Sequence, residues 1–158
     1  MLHYAGHSVS FQEVPDEVSL VILIADCPHR CKGCHSPELR EKTNIDLATK
    51  LPELIDEYSD AITCVCFMGD GQDAESLKSL ADYVHACGYN TAVYSGNYTA
   101  WVDYFPFFDY YKCGPYDEKL GGLDSPSTNQ FMLKLTVDIE SSNWWFEDIT
   151  YRFQRSND

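Results

Sequence analysis

With 158 residues, 25 acidic and 11 basic side chains and a formal charge of −14, the chain has the length of one domain, residues 1–158. So acidic a chain is a poor match for a nucleic-acid backbone, which asks for clustered Lys and Arg. Its 44% hydrophobic and 23% charged content suits a soluble globular fold, and no apolar run approaches the ~20 residues of a membrane span. Seven cysteines cannot all pair within one chain, and Met1 to Gln12 lacks the apolar core of a secretory signal. A reducing, cytoplasmic setting is therefore expected.

In chain order, residues 1–17 predict a strand or loop, and Val18 to Ala25 a β-branched strand apolar enough to be covered on both faces, hence parallel. Asp46 caps a helix with apolar positions Leu47, Leu51, Leu54, Ile55 and Tyr58, and Pro52 predicts a kink or break near Lys50. Ala61 to Met68 is the next strand and runs into the turn Gly69-Asp70-Gly71. Asp73 caps a second helix whose apolar face is Leu77, Leu80, Ala81, Val84 and Cys87, with Gly88 as its stop. Asn90 to Tyr94 is a strand stopped by Ser95-Gly96-Asn97, followed by a short helix from Thr99 to about Phe105. Asp109 to Cys113 is a fourth strand, 114–130 a long loop, Phe131 to Ile139 a strand, and Ile149 to Phe153 a weaker one. This alternation predicts an α/β fold with a mostly parallel sheet. Ligands then bind beyond the carboxyl ends of the strands, where the glycine turns should converge.

The loop after the first apolar strand carries Cys27, Cys31 and Cys34 in C-x3-C-x2-C spacing. Three thiols on one tight loop are suited to a metal. They can hold three corners of a four-iron cube with one iron left open, or a zinc ion with His35 or His29 as fourth ligand. His29, Arg30 and Lys32 put basic groups on the same loop, either to tune its charge or simply as a solvated face. Cys64 and Cys66 alternate in a strand, and with Cys87 they read as core thiols; Cys113, beside Lys112 at a strand end, also reads as structural. The aromatic run from Trp101 to Tyr111, and Trp144-Trp145-Phe146, are packing residues whose exposed part would make a partner surface. No nucleophile–base pair or phosphate-binding loop stands out.

The cysteine spacing after a first strand, with a glycine turn after the next, resembles the radical S-adenosylmethionine (SAM) enzymes. Within them the chain resembles the activating proteins of anaerobic ribonucleotide reductase. Further likeness lies in Lys32 to Glu38, in Lys112-Cys113-Gly114-Pro115-Tyr116 with Ser127 to Gln130, and in Asp148 to Phe153. Gly33 stands where the superfamily often has an aromatic residue, and Gly69-Asp70-Gly71 stands for its usual Gly-Gly-Glu.

The resemblance implies a mostly parallel, partial (incomplete) TIM-like barrel. It implies a 4Fe-4S cluster on Cys27, Cys31 and Cys34, with SAM chelating the open iron. Reduction of SAM would yield a 5′-deoxyadenosyl radical that takes hydrogen from a glycine of the partner enzyme. Gly69, Asp70 and Gly71 would approach the SAM amino group through backbone carbonyls, Ser95 and Gly96 would lie against the ligand, and Lys112 would meet its carboxylate. The implied partners are the glycyl-radical subunit of the reductase and an electron donor such as flavodoxin or ferredoxin, with no nucleic acid and no membrane. Other readings of the same residues are an activase of another glycyl-radical enzyme, a small-molecule radical SAM enzyme, and a zinc-stabilised interaction module or electron carrier.

Overall fold

The structure is a computed structural model, and it describes residues 1–25, 43–71 and 73–154. Seven strands form one mixed sheet in sequential order: β1 (Tyr4–Ser10), β2 (Ser19–Ile24), β3 (Cys64–Met68), β4 (Asn90–Tyr94), β5 (Tyr110–Cys113), β6 (Phe131–Asp138) and β7 (Asn143–Asp148). β2 to β5 are parallel. β1 adds antiparallel to β2, and β6 and β7 continue the sheet antiparallel beyond β5.

The crossovers explain the parallel part. α1 (Leu47–Tyr58) lies between β2 and β3, α2 (Ala74–Ala86) between β3 and β4, and the short α3 (Ala100–Asp103) between β4 and β5. Asp46 accepts from the Ala48 N–H, and Asp73 accepts from the Ser76 N–H, so each longer helix starts at the carboxylate that its sequence offers. Leu47, Leu51, Leu54 and Ile55 of α1, and Leu77, Leu80, Ala81 and Val84 of α2, are buried. They pack on Leu20, Ile22, Ile24, Val65, Phe67 and Val93 of the sheet. α1 continues through Pro52 as one helix, so the expected break near Lys50 does not occur.

The expectation of a partial TIM-like barrel is overturned. The sheet is open, with β1 and β7 as its two edges, and half of its strand pairs are antiparallel. The strand–helix alternation stops at Cys113. The segment between β5 and β6 contains no helix, so the chain turns back antiparallel instead of crossing over. Among the described residues, helices cover one face only. On the other face, where a barrel would have its interior, Val14, Leu123 and Ile149 from flanking segments pack on Val21, Cys64, Cys66, Ala92, Tyr110 and Met132. That face is filled without the sheet closing on itself.

Two further expectations change. The strand expected over Ile149 to Phe153 is a 3-10 turn (Thr150–Phe153), and the last strand lies earlier, at β7. Cys87, expected on the buried face of α2, is its exposed C-cap, one position beyond Ala86. Among the described residues no helix is long and apolar enough to cross a membrane.

Candidate functional site

Cys27, Cys31 and Cys34, with His29, Arg30, Lys32 and His35, lie outside the described residues. They follow Ala25 in the chain, and Ala25 lies just past the end of β2, at the carboxyl edge of the parallel strands. What can be built from the residues is the edge itself.

The parallel registers place Leu23 beside Met68, Met68 beside Tyr94, and Tyr94 beside Lys112. These four residues are the last inward-facing side chains of β2 to β5, on the face that no described helix covers. All four are half-buried, whereas Val21, Cys66, Ala92 and Tyr110, one step earlier, are buried. The result is an apolar-to-cationic shelf at the sheet edge. The Lys112 ammonium stands 5.7 Å from the centroid of the Tyr94 ring. It donates to the carbonyls of Ser95 at 3.3 Å and Gly114 at 3.0 Å.

The turns beyond the shelf are tied to one another. The Gly69 N–H donates to Tyr94 O and the Ser95 N–H to Lys112 O, extending the parallel pairing one residue past the strands. Gly69 (φ 89°) and Gly71 (φ 61°) occupy the left-handed region that glycine reaches without a Cβ clash. A Cβ on Gly71 would lie 2.6 Å from Leu2 Cδ2. Between these glycines Asp70 is buried and turned into the protein. Its Oδ2 accepts from Ser95 Oγ at 2.8 Å, Tyr104 OH at 3.3 Å and Asn97 Nδ2 at 3.5 Å. Burial and the neighbouring Asp70 carboxylate push the Tyr104 phenol far up, so it remains a donor.

The structure thus brings Gly69, Asp70, Gly71, Ser95, Gly96 and Lys112 to one edge. It also divides their work. Asp70 and the Ser95 hydroxyl serve the protein itself, since Ser95 Oγ donates to Asp70 and accepts from the Asn97 N–H at 3.0 Å. What faces the edge is the half-buried backbone of the glycine turns, the half-buried shelf and Lys112, whose ammonium two backbone carbonyls already hold. That donor set fits an amino-acid-like group: carbonyls for an ammonium, a cation for a carboxylate and apolar surface for a thioether-like chain. Among the described residues, no group of three or more His, Cys, Asp or Glu side chains is placed to hold a metal ion.

The remaining thiols are elsewhere. Burial pushes Cys64 and Cys66 far above the usual thiol range, and both pack under the sheet face opposite the helices. Cys113 is on the helix face and is pushed up to about 11, burial first.

A cluster at the opposite, amino edge looks catalytic but is not. His85 Nε2 lies 2.9 Å from Asp109 Oδ2 and 3.1 Å from Thr91 Oγ1. A hydroxyl–imidazole–carboxylate relay needs the two partners on different ring nitrogens, whereas here one nitrogen meets both. Thr91 is also fully buried, and Asp109 Oδ2 accepts its N–H at 2.9 Å. The cluster fastens the start of β4 to α2 and β5. A cleft of about 460 Å³ lies near the starts of α1 and α2, lined by Met1, Leu2, Asp46, Glu75 and Ser76, and Leu2 also abuts the Gly71 turn.

Sequence reasoning did not find Tyr104, Asn97 or the shelf residues Leu23, Met68 and Tyr94. The shelf had a signal: strand alternation puts Leu23, Met68, Tyr94 and Lys112 two residues after Val21, Cys66, Ala92 and Tyr110, on the same face. Tyr104 had none, because it reaches Asp70 from the α3 segment. Nor had Glu17, a buried carboxylate that accepts from Thr63, Asn90 and Tyr110.

No protein-family model, curated protein or solved structure matches the chain.

Proposed function

We propose that the protein is a cytoplasmic radical SAM activase, which takes a hydrogen atom from a backbone glycine of the glycyl-radical subunit of an anaerobic ribonucleotide reductase. Cys27, Cys31 and Cys34 would hold a 4Fe-4S cluster, and a flavodoxin or ferredoxin would supply its electron. When bound, cluster and SAM supply one-electron cleavage of the sulfonium and the means of hydrogen abstraction.

The chain's own residues bind and orient. The carbonyls of Gly69 to Gly71 would accept from the SAM ammonium, and Lys112 would meet its carboxylate at the far side of the shelf. Ser95 and Asp70 hold the two turns in register, and Gly96 keeps the second turn free of a side chain. A protein substrate would close the open side of the shelf and exclude water there.

One observation supports this reading above the others. The C-x3-C-x2-C loop departs from the strand end that begins the half-buried row Leu23, Met68, Tyr94 and Lys112. A zinc-stabilised module has no need of such a row.

The test is anaerobic reconstitution of the full chain. About four irons per chain are expected, by the stoichiometry of a cubane cluster. Cys27→Ala should lose the cluster, and reduction with SAM present should yield 5′-deoxyadenosine. Zinc with no SAM cleavage would sink the proposal. SAM cleavage without radical formation on the reductase would move it to another substrate.

A further inference from the structure

The two edges of the sheet are not alike. The β1 edge is partly covered, because the Tyr4 N–H donates to Ile45 O and Thr43 Oγ1 donates to Tyr4 O. Among the described residues no strand covers β7.

The hydrogen-bond alternation fixes which groups β7 presents. The Ile149 N–H donates to Met132 O at 2.9 Å, and the Leu135 N–H points the other way, to Asp109 O at 2.8 Å. β6 and β7 pair without a register shift. Stepping along that ladder, Glu147, Trp145 and Asn143 bond inward to β6, while Trp144, Phe146 and Asp148 turn their N–H and C=O groups outward.

The same edge is aromatic. Trp144 is 54% exposed, and its ring lies 4.7 Å from Phe105 and 5.9 Å from Phe146, centroid to centroid. Trp145, on the other face, is 48% exposed. Backbone groups left open beside exposed aromatic rings form a template for another strand. Phe146 joins the patch to the core through Tyr111 at 5.7 Å, so the patch is rigidly backed.

Charge selects the occupant. Between Phe131 and Ile149 the chain carries Asp138, Glu140, Glu147 and Asp148 against Lys134 alone. A second copy would bring the same carboxylates and its own charge of −14 to the contact. A strand with apolar residues toward Trp144 and Phe146, and cations toward Trp145 and Glu147, meets both faces with complementary chemistry.

We infer that the β7 edge docks an extended segment of another protein, one that alternates basic and apolar residues and adds to the sheet as an eighth strand. This goes beyond the reaction proposed above and stands whether or not that chemistry is right.

The test uses the full chain and three fluorescein-labelled octapeptides: alternating Lys and Val, alternating Glu and Val, and alternating Lys and Pro. The Lys/Val peptide should bind, weaken in salt, and slow amide exchange at Trp144, Phe146 and Asp148. The Glu/Val peptide lacks the charge and the Lys/Pro peptide the strand donors, so each should bind at least about tenfold more weakly. Trp144→Pro should lose about tenfold more affinity than Trp144→Ala, because only proline also deletes an outward N–H while sparing the ladder to β6. Equal binding of the Lys/Pro peptide, or unchanged exchange at the three amides of the unmutated chain, would overturn the inference. So would sedimentation as a dimer that already protects those amides, which would give the edge to a second copy.

Discussion

Ser95 Oγ donates to Asp70 Oδ2 at 2.8 Å, a buried bond that ties the turn after β4 to the turn after β3. The carboxylate that the sequence places between two glycines therefore faces inward, and the glycine backbone is what the turn presents. Tyr104 supports the same oxygen from the α3 side at 3.3 Å. Removing the acceptor strands two buried hydroxyls. Asp70→Ala should cost about 1–3 kcal/mol in urea unfolding, the penalty for buried donors left without a partner. Asp70→Asn keeps an acceptor oxygen and should lose clearly less. Equal losses for the two variants would mean that the bond to Ser95 matters little.

Lys112 links the proposed ligand to the frame. Its ammonium is held by the carbonyls of Ser95 and Gly114, so its charge is fixed at the end of the shelf. Lys112→Met keeps most of the side chain's length and removes the charge. SAM affinity, measured by calorimetry on the reconstituted protein, should fall about tenfold or more, the scale of a charge-assisted contact. An unchanged affinity would reject the carboxylate role while leaving the cluster assignment standing.

Local chemistry was legible in the sequence, and long-range closure was not. Asp46 and Asp73 each announced a helix start, because a cap bonds within its own turn. Convergence of Gly69, Ser95 and Lys112 on one edge followed from parallel pairing, which strand–helix alternation requires. The barrel failed for a reason no local pattern carries: an apolar strand reads the same whether its far face meets a helix or Val14 and Leu123. Antiparallel return at β6 hung on the 114–130 loop lacking a helix, and its length alone did not say so. Pro52 does not break the helix, which runs on through it from Leu47 to Tyr58.

The thiols separate by exposure. Of Cys64, Cys66, Cys87 and Cys113, Cys87 alone is exposed. In a Cys27→Ala, Cys31→Ala, Cys34→Ala background, iodoacetamide should label one site in the native state and four in denaturant, as mass spectrometry of the peptides would show. Native labelling of Cys64 or Cys66 would mean that the face under Val14 opens readily.

Those same buried thiols set how the fold responds to alkali. Burial is the largest cause that lifts Cys113 from 9.0 to about 11, and the nearby Lys112 charge only partly opposes it. Between those values the folded chain keeps the proton and the unfolded chain has released it. The unfolded state then binds fewer protons, so unfolding free energy falls as pH rises. The contribution is fully present below pH 9.0 and is lost as pH climbs through about 11. Cys64, Cys66 and Tyr111 are shifted the same way and add to the slope. Cys113→Ala should therefore flatten the decline in urea midpoint across that window while leaving part of it. The change in slope is the readout, because the smaller side chain lowers stability at every pH by leaving a cavity. An identical slope in the variant would mean that the Cys113 thiol reaches water in the folded state.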